Sequence, residues 1–221
     1  MKRMRQLLIV SIFFGALLSA NGQSRMKFNV HADPQFAWLS SDEDEVAPDG
    51  SIFHIHTGLQ MDLFFDKNYA FSLGFGINNL GGNLLYSDST EFISNEDTII
   101  VTPGQTVKHN LQYLDIPLGL KLKTEELGYA TIFLEIGFNP MININANATT
   151  KDGTLSKENI REETQLFNLG YHAGIGVEYR LGGSTAAIGG IRWTSGLTDV
   201  TKNDKANITT KVISIHLGIL F

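Results

Sequence analysis

The sequence predicts an all-β protein, an eight-stranded antiparallel up-and-down transmembrane β-barrel preceded by a cleaved signal peptide. Three observations support this fold class. Eight segments alternate apolar and polar residues with period two, short turns and long polar loops alternate between them, and the first residues have the pattern of an export signal. A period of two places successive side chains on opposite faces of a strand.

Residues 1–22 have the organisation of a secretory signal peptide. Three basic residues lie within the first five, and residues 7–18 form a largely apolar run. That run is shorter than the roughly 20 residues that a helix needs to cross a bilayer, so export is favoured over a retained anchor. Small residues precede Gln23, which places cleavage there to within about three residues. The mature barrel domain is then 23–221.

The composition excludes several classes of function. The chain has no cysteine, which rules out a dithiol redox site, a disulfide scaffold and a thiolate zinc site. It has 17 Lys and Arg against 23 Asp and Glu, so a basic footprint for nucleic acid is missing and no nucleic-acid partner is expected. The 22 glycines and 10% aromatic residues are typical of many strands joined by tight turns.

Each of the eight segments carries apolar residues at alternate positions, with glycine or polar residues between them. The segments cover 27–38, 53–65, 69–78, 113–122, 131–145, 167–180, 190–194 and 213–221. Their apolar faces include, in chain order, Phe28 and Val30, Leu59 and Met61, Phe71 and Leu73, Leu118 and Leu120, Leu134 and Ile136, Ile175 and Val177, Ile191 and Trp193, and Ile215 and Leu217. The alternation is weakest in the seventh segment.

The connections between the segments predict how the barrel is oriented. Tight turns follow the second, fourth and sixth segments, and long polar stretches follow the others. The turns are 66–68, 124–128 and 182–184, and the long stretches are 40–51, 86–107, 147–163 and 198–207. Outer-membrane barrels have short periplasmic turns and long external loops. We therefore expect the loops outside the cell and both mature termini in the periplasm.

The apolar face points either to lipid or into a soluble barrel, such as a lipocalin-like carrier in the periplasm. The glycine-rich polar face suits the narrow interior of an eight-stranded barrel, which favours the outer membrane. Aromatic residues also gather near the segment ends, as in the girdles of membrane barrels. The expected girdles are Phe28, Phe65, Tyr69, Tyr179 and Phe221 at one end, and Phe36, Trp38, Phe53, Phe167 and Trp193 at the other.

The last strand ends in Phe221, with Ile219, Leu217 and Ile215 at the alternate positions before it. This form looks like the signal that the outer-membrane barrel assembly machinery reads. The expected partners are therefore outer-membrane lipid, this machinery during biogenesis, and an envelope or secretion protein that binds the long loops.

Four segments resemble, in the right order, strands of the PorT-like family of small outer-membrane β-barrels. They are 111–123 (LQYLDIPLGLKLK), 133–137 (FLEIG), 173–178 (AGIGVE) and 191–199 (IRWTSGLTD). The resemblance implies an eight-stranded barrel of a Gram-negative outer membrane. Because the founding member of that family assists secretion, it also implies a structural or accessory role in the cell envelope.

Charged residues on the inward face predict a network inside the barrel. Unpaired charges are costly in a low-dielectric interior, so a network of matched pairs is expected. The acidic members are Asp33, Asp62, Asp115, Glu135 and Glu178, and the basic members are Lys27, Lys121, Lys123, Arg180 and Arg192. A closed, salt-bridged plug centred on Asp115, Glu135, Glu178 and Arg192 is favoured, and a path for protons, ions or small solutes is the alternative.

All six histidines fall on the inward face. Four of them, His31, His54, His56 and His216, are expected on neighbouring strands, and imidazoles suit zinc, copper or nickel. Polar lining of the lumen is the favoured interpretation, so no metal or other cofactor is predicted.

Catalysis is not expected. Lipid-modifying barrels need a nucleophile and a base at the lipid interface, whereas here the histidines face inward. The lipid face offers only Thr57, Ser195 and Lys211, and no G-x-S-x-G, H-E-x-x-H or phosphate-loop motif occurs.

Overall fold

A computed structural model describes residues 26–94, 97–202 and 206–221. The expected signal peptide and its cleavage position lie outside these ranges. The described strands are β1 (Met26–Ser41), β2 (Val46–Pro48), β3 (Ile52–Asp66), β4 (Tyr69–Tyr86), β5 (Thr90–Ser94), β6 (Asp97–Val101), β7 (Gln105–Asp115), β8 (Leu118–Lys123), β9 (Ala130–Thr150), β10 (Ser156–Asn159), β11 (Phe167–Gly182), β12 (Thr185–Gly196) and β13 (Ile208–Leu220). A single 3-10 turn at Arg161–Glu163 is the one helical element in the described ranges, and none of their helices is long and apolar enough to span a membrane.

Eight positions around the wall, here called staves, close into one antiparallel barrel; seven are single strands and one is made of two successive strands. In order around the barrel they are β1, β3, β4, the pair β7 and β8, β9, β11, β12 and β13, and β13 pairs again with β1. At the closing seam Phe28 and Phe221 exchange both of their backbone hydrogen bonds, with N···O distances of 3.0 and 2.8 Å. Closure leaves none of the described strands of this barrel with an unpaired edge. The prediction of an eight-stranded up-and-down barrel is confirmed.

The fourth stave is broken where one continuous strand was predicted. Proline has no N–H to donate to a sheet, so the ladder is interrupted at Pro117. The neighbouring staves still satisfy the backbone there: Gly74 N donates to Pro117 O at 2.8 Å, and Ile116 N donates to Pro140 O at 3.0 Å. The break therefore costs no buried backbone hydrogen bond at these positions.

The predicted facing is correct over the middle of the barrel. Leu59, Phe75 and Ile175 point outward and are 56–58% exposed, whereas Asp33 and Glu135 point inward and are 0–1% exposed. The predicted girdle residues are exposed with the exception of Trp38, which is half-buried. An apolar outer belt of this kind is suited to lipid.

At the loop end, the apolar residues lie on the inward face of the strands and the polar residues on the outward face, the reverse of the middle of the barrel. The staves extend beyond the predicted segments, and their inward side chains there are apolar: Leu39, Leu80, Leu84, Val107, Leu111, Ala146, Ala148 and Ile208. In β9 the inward set shifts from odd to even positions because a β-bulge at Ile144 adds one residue between Asn143 and Asn145. The predicted loops 86–107 and 147–163 are accordingly partly strand.

Loop segments cover this apolar end. Strands β5 and β6 form a hairpin, β10 pairs with β9, and the 3-10 turn follows directly. Phe92, Val101, Leu155 and Ile160 from these segments are buried in the apolar cluster. The loop end of the barrel interior is therefore closed by the chain itself.

The two ends of the barrel generate a prediction about orientation. The chain has no cysteine, so single cysteines report their positions without background. Lys151 lies in the connection from β9 to β10 and Ser184 in the turn from β11 to β12, and both are exposed. In intact cells we expect a polymeric maleimide to label Lys151→Cys but not Ser184→Cys, because the predicted orientation places only the long loops outside the cell. Ser184→Cys should react once the outer membrane is permeabilised, and the opposite order of labelling would refute this orientation.

Candidate functional site

The barrel interior is the candidate site, because it brings together the buried polar residues of all eight staves. Three levels follow one another along the barrel. The turn-end cluster contains Asp62, Lys121, Lys123 and Glu178; the middle cluster contains His31, Asp33, His56, Asp115, Glu135, His172, Arg192 and His216; the loop-end cluster is apolar around Tyr86 and His109.

Lys121 is the centre of the turn-end cluster. Its Nζ lies 2.7 Å from Oδ2 of Asp62 and 2.8 Å from Oε1 of Glu178, and these side chains are 1–4% exposed. Lys123 binds the second oxygen of Glu178. Phe133 lies under Lys121, with Nζ 4.6 Å from the ring centroid, which adds a cation–π contact. Two ammonium groups thus face two carboxylates, so this level is electrically neutral.

Arg180 was expected in the lumenal network, but the structure places it at the mouth of the turn end. Its guanidinium is half exposed, pairs with Glu126 at 2.9 Å and lies over the Tyr129 ring. Arg180 is near the end of β11, beyond the last enclosed level, so its long side chain reaches the turn that follows β8 instead of the interior.

In the middle cluster, Arg192 joins carboxylates from different staves. One nitrogen lies 3.4 Å from Oε2 of Glu135, and the other lies 3.9 Å from Oδ2 of Asp33. Asp115 accepts hydrogen bonds from the amides of Asn139 at 3.1 Å and Asn78 at 3.3 Å. Five of the six expected network residues are thus buried with polar partners, namely Asp115, Lys121, Glu135, Glu178 and Arg192.

The expected charge balance does not hold inside the barrel. Five carboxylates are buried in the described interior, against the three cations Lys121, Lys123 and Arg192. Arg180 and Lys27 complete the predicted set of five but lie at the turn-end mouth. Two negative charges of the interior are therefore not matched by lysine or arginine.

Three of the four candidate metal histidines surround Asp33. Oδ2 of this carboxylate lies 3.0 Å from Nδ1 of His216, 3.1 Å from Nδ1 of His31 and 3.8 Å from Nδ1 of His56. The fourth candidate, His54, does not join them and is half-buried opposite Gln35. His172 bonds Asn139 at 2.6 Å and lies 3.4 Å from Glu135.

Two glycines on adjacent staves leave space for these rings. A Cβ on Gly58 would lie 2.7 Å from Nε2 of His31, and one on Gly76 would lie 2.9 Å from Nε2 of His56. Both distances are too short for real atoms, so alanine at position 58 would displace the His31 ring, and at position 76 it would displace the His56 ring and the backbone of Thr57, whose O would lie 2.6 Å away. The glycine pattern of β3 and β4 is therefore part of what positions the middle cluster.

The alternation pattern did not predict the loop-end cluster. Tyr86 Oη lies 3.2 Å from Nε2 of His109, and Phe92 packs on Tyr86 with ring centroids 5.6 Å apart. They line a small cavity of about 70 Å³ together with apolar residues such as Leu84 and Leu111 and acidic residues such as Glu45 and Asp88. The sequence of β4 contains an indication of this cluster. Its inward face carries glycine and polar residues first, and then Leu80, Leu84 and Tyr86.

The buried acids and most histidines of the described interior form one set of mutually paired groups. The six histidines occupy inward positions, and the buried acids of the two polar clusters are engaged by lysine, arginine, amide or histidine groups. Such a set can hold staves together across the lumen and offers nitrogen and oxygen ligands near Asp33.

A match to a protein family agrees with this architecture. The family described as "Outer membrane protein beta-barrel domain" matches residues 14–202. Neisserial surface protein A is similar in structure at 14% identity and a TM-score of 0.49, with 90% of this chain and 98% of that chain covered. OprG from Pseudomonas aeruginosa is similar at 13% identity and a TM-score of 0.45, with coverages of 90% and 96%.

Two further solved barrels are also similar in structure, and their names indicate different roles. Ail, the attachment invasion locus protein of Yersinia pestis, has 10% identity, a TM-score of 0.42 and coverages of 88% and 98%. The outer membrane protease OmpT from Escherichia coli has 9% identity, a TM-score of 0.42 and coverages of 92% and 99%. At such values, none of these likenesses carries an argument about activity. No curated protein matches this chain in sequence.

The family match covers far more than half of the chain, and the structure closes the barrel with an apolar outer belt and a polar interior. The chain therefore belongs to the family of outer membrane proteins with a β-barrel domain, and its staves are transmembrane strands.

Proposed function

We propose that this protein is a structural or accessory barrel of the cell envelope, which acts through protein partners at its loops and not as a pore. The observation that supports this most directly is the filled interior. Lys121 on β8 reaches Asp62 on β3 and Glu178 on β11, so it bridges staves that are not neighbours. Arg192 on β12 likewise reaches Gln60 on β3 and Glu135 on β9.

These bridges cross the lumen at two successive levels, and the apolar cluster closes a third. An eight-stranded barrel has an interior just wide enough for its own side chains, so there is little room for a solute beside them. The same contacts hold the staves at fixed separations. A rigid closed barrel is well suited to present loops to a partner.

The partner-binding part is expected at the loop end, where the staves are polar outside. Thr106, Lys108 and Asn110 on β7 lie on the outer face there, while their neighbours Val107 and His109 are buried. A polar outer face does not belong among lipid chains, so this part projects beyond the bilayer. We propose the outside of the cell for this end, and support of protein secretion as its role, in line with the resemblance to PorT-like barrels.

The plug predicts that the wild-type barrel does not conduct. After refolding into planar bilayers, we expect no steady ohmic conductance at moderate voltages. The double variant Glu135→Ala, Arg192→Ala removes two cross-lumen side chains, so it should admit water and show intermittent ion currents. Its barrel fold is verified by the mobility shift between unheated and heated samples on a denaturing gel. Steady conductance of the wild type would favour solute passage and refute the proposal.

The plug should also contribute strongly to stability. Lys121→Met leaves Asp62 and Glu178 without their shared cation, and breaking a buried ion pair costs about 3–5 kcal/mol. The matched control is Lys67→Met, which removes an exposed lysine paired with exposed Glu125, and its effect should be too small to resolve. Urea unfolding of both variants in lipid vesicles measures the difference. Equal small losses would show that the interior pairs do not stabilise the barrel.

The secretory role is tested by shortening one loop. Replacing 87–104 by an Asn-Gly turn keeps all eight staves, since Tyr86 and Gln105 face each other in register. In a deletion strain of the protein's own bacterium, secreted protein should fall, and the full chain but not the shortened chain should restore it. Leu127→Ser in the opposite turn serves as the control and should restore secretion fully. Normal secretion in the deletion strain would refute this role.

A further inference from the structure

We infer that the middle of the barrel binds one divalent transition-metal ion through His31, Asp33 and His56. One ligand atom from each of these three residues lies within 4.8 Å of the other two. All three side chains are buried, at 0–6% exposure, and they come from the adjacent staves β1 and β3. Two imidazoles and one carboxylate form a donor set that suits zinc, nickel, copper or cobalt.

The distances between the donors are compatible with one shared metal ion. Nδ1 of His31 lies 3.1 Å from Oδ2 of Asp33 yet has no hydrogen-bond partner among the described residues, and Nδ1 of His56 is 3.8 Å from the same oxygen. In a tetrahedral zinc site with bonds of about 2.0–2.1 Å, neighbouring ligand atoms are about 3.3 Å apart. Small rotations of the rings therefore bring both nitrogens and this oxygen around one ion.

The groups behind the ligands are placed as in protein metal sites. Histidine ligands usually donate their second ring N–H to a carboxylate, and Nε2 of His56 lies 3.5 Å from Oδ2 of Asp115. The other oxygen of Asp33, Oδ1, is held by the backbone N–H of Leu217 at 3.1 Å and by Nδ1 of His216 at 3.0 Å. Oδ2 faces His31 and His56, and it also lies 3.0 Å from Nδ1 of His216.

The charge of the interior provides an independent reason for a cation. The buried carboxylates exceed the buried lysine and arginine side chains by two. Charges buried in a low-dielectric interior require compensation. Arg192 lies 3.9 Å from Asp33, and its positive charge repels a cation there. Its guanidinium is closer to Glu135, with which it forms an ion pair. One divalent ion between Asp33 and Asp115 supplies the two positive charges that are missing.

The test uses the whole mature chain without an affinity tag, refolded into detergent in the presence of Zn²⁺ or Co²⁺ and then freed of loose metal by desalting. We expect one metal per barrel by atomic emission, and a visible d–d absorption with Co²⁺. In the double variant His31→Gln, His56→Gln the stoichiometry should fall to near zero, or the affinity by at least about 100-fold. Heat modifiability shows whether each variant is folded.

Two single variants serve as controls. His109→Gln changes a buried histidine of the loop-end cluster, and His54→Gln changes the half-buried neighbour on β3. Both should retain one metal per barrel. Loss of binding in His54→Gln with binding kept in the double variant would overturn the assignment.

A measurement on the wild type is independent of how the variants fold. The spectrum of bound Cu²⁺ in electron paramagnetic resonance, or X-ray absorption of bound Zn²⁺, counts the imidazole ligands, and we expect two. One imidazole or none would overturn the proposal, as would a folded wild type that retains no metal. In that last case protons neutralise the two excess charges, and the histidines line the lumen as polar residues only.

Discussion

The structure depends on one constraint: eight strands that close on themselves in lipid must satisfy every backbone hydrogen bond and fill their own interior. Hydrocarbon offers no partner for a free N–H or C=O group, so the seam between β1 and β13 has to be paired like any other. The pairing of Phe28 with Phe221 completes it at the last residue. Once closed, the narrow interior must be filled by inward side chains, because lipid is excluded and the space is too small for bulk water.

This constraint explains the composition of the inward face. Long or bulky side chains fit in the lumen only where the neighbouring inward residues are small. The glycines provide that space, as Gly58 and Gly76 do for the histidine rings. Charges placed there have to be neutralised within the barrel. Lys121 does so for Asp62 and Glu178, whereas the level around Asp33 and Asp115 is left negative. The interior thus divides into a self-neutral part and a part that requires an additional cation or protons.

Period-two alternation was sufficient to predict the barrel, the number of staves and the facing of the central belt, because lipid outside and polar groups inside impose opposite preferences on neighbouring residues. It also predicted the charges and histidines that lie inside, but wrongly added Arg180 and Lys27, which lie at the turn-end mouth. It did not predict contacts, since these depend on register between distant strands: nothing in the local pattern shows that His31 and His56 meet at Asp33 while His54 does not. The prediction for Arg180 was wrong because alternation indicates which face of a strand a side chain lies on. It does not indicate how far along the barrel axis the residue lies.

The loop end escaped prediction for a related reason, and the reason indicates what this part of the molecule does. At about 3.3 Å per residue and a tilt near 40°, the 21 residues of β9 rise roughly 50 Å, about twice the height of the apolar belt of an outer-membrane barrel. Beyond the belt, the surroundings of the outer face change from lipid to water, so the hydrophobic residues move to the inside, as in a soluble barrel. The bulge at Ile144 makes that exchange within β9. An extension with its own apolar core does not need lipid contacts for its packing, so it can hold the loops in fixed positions away from the membrane surface.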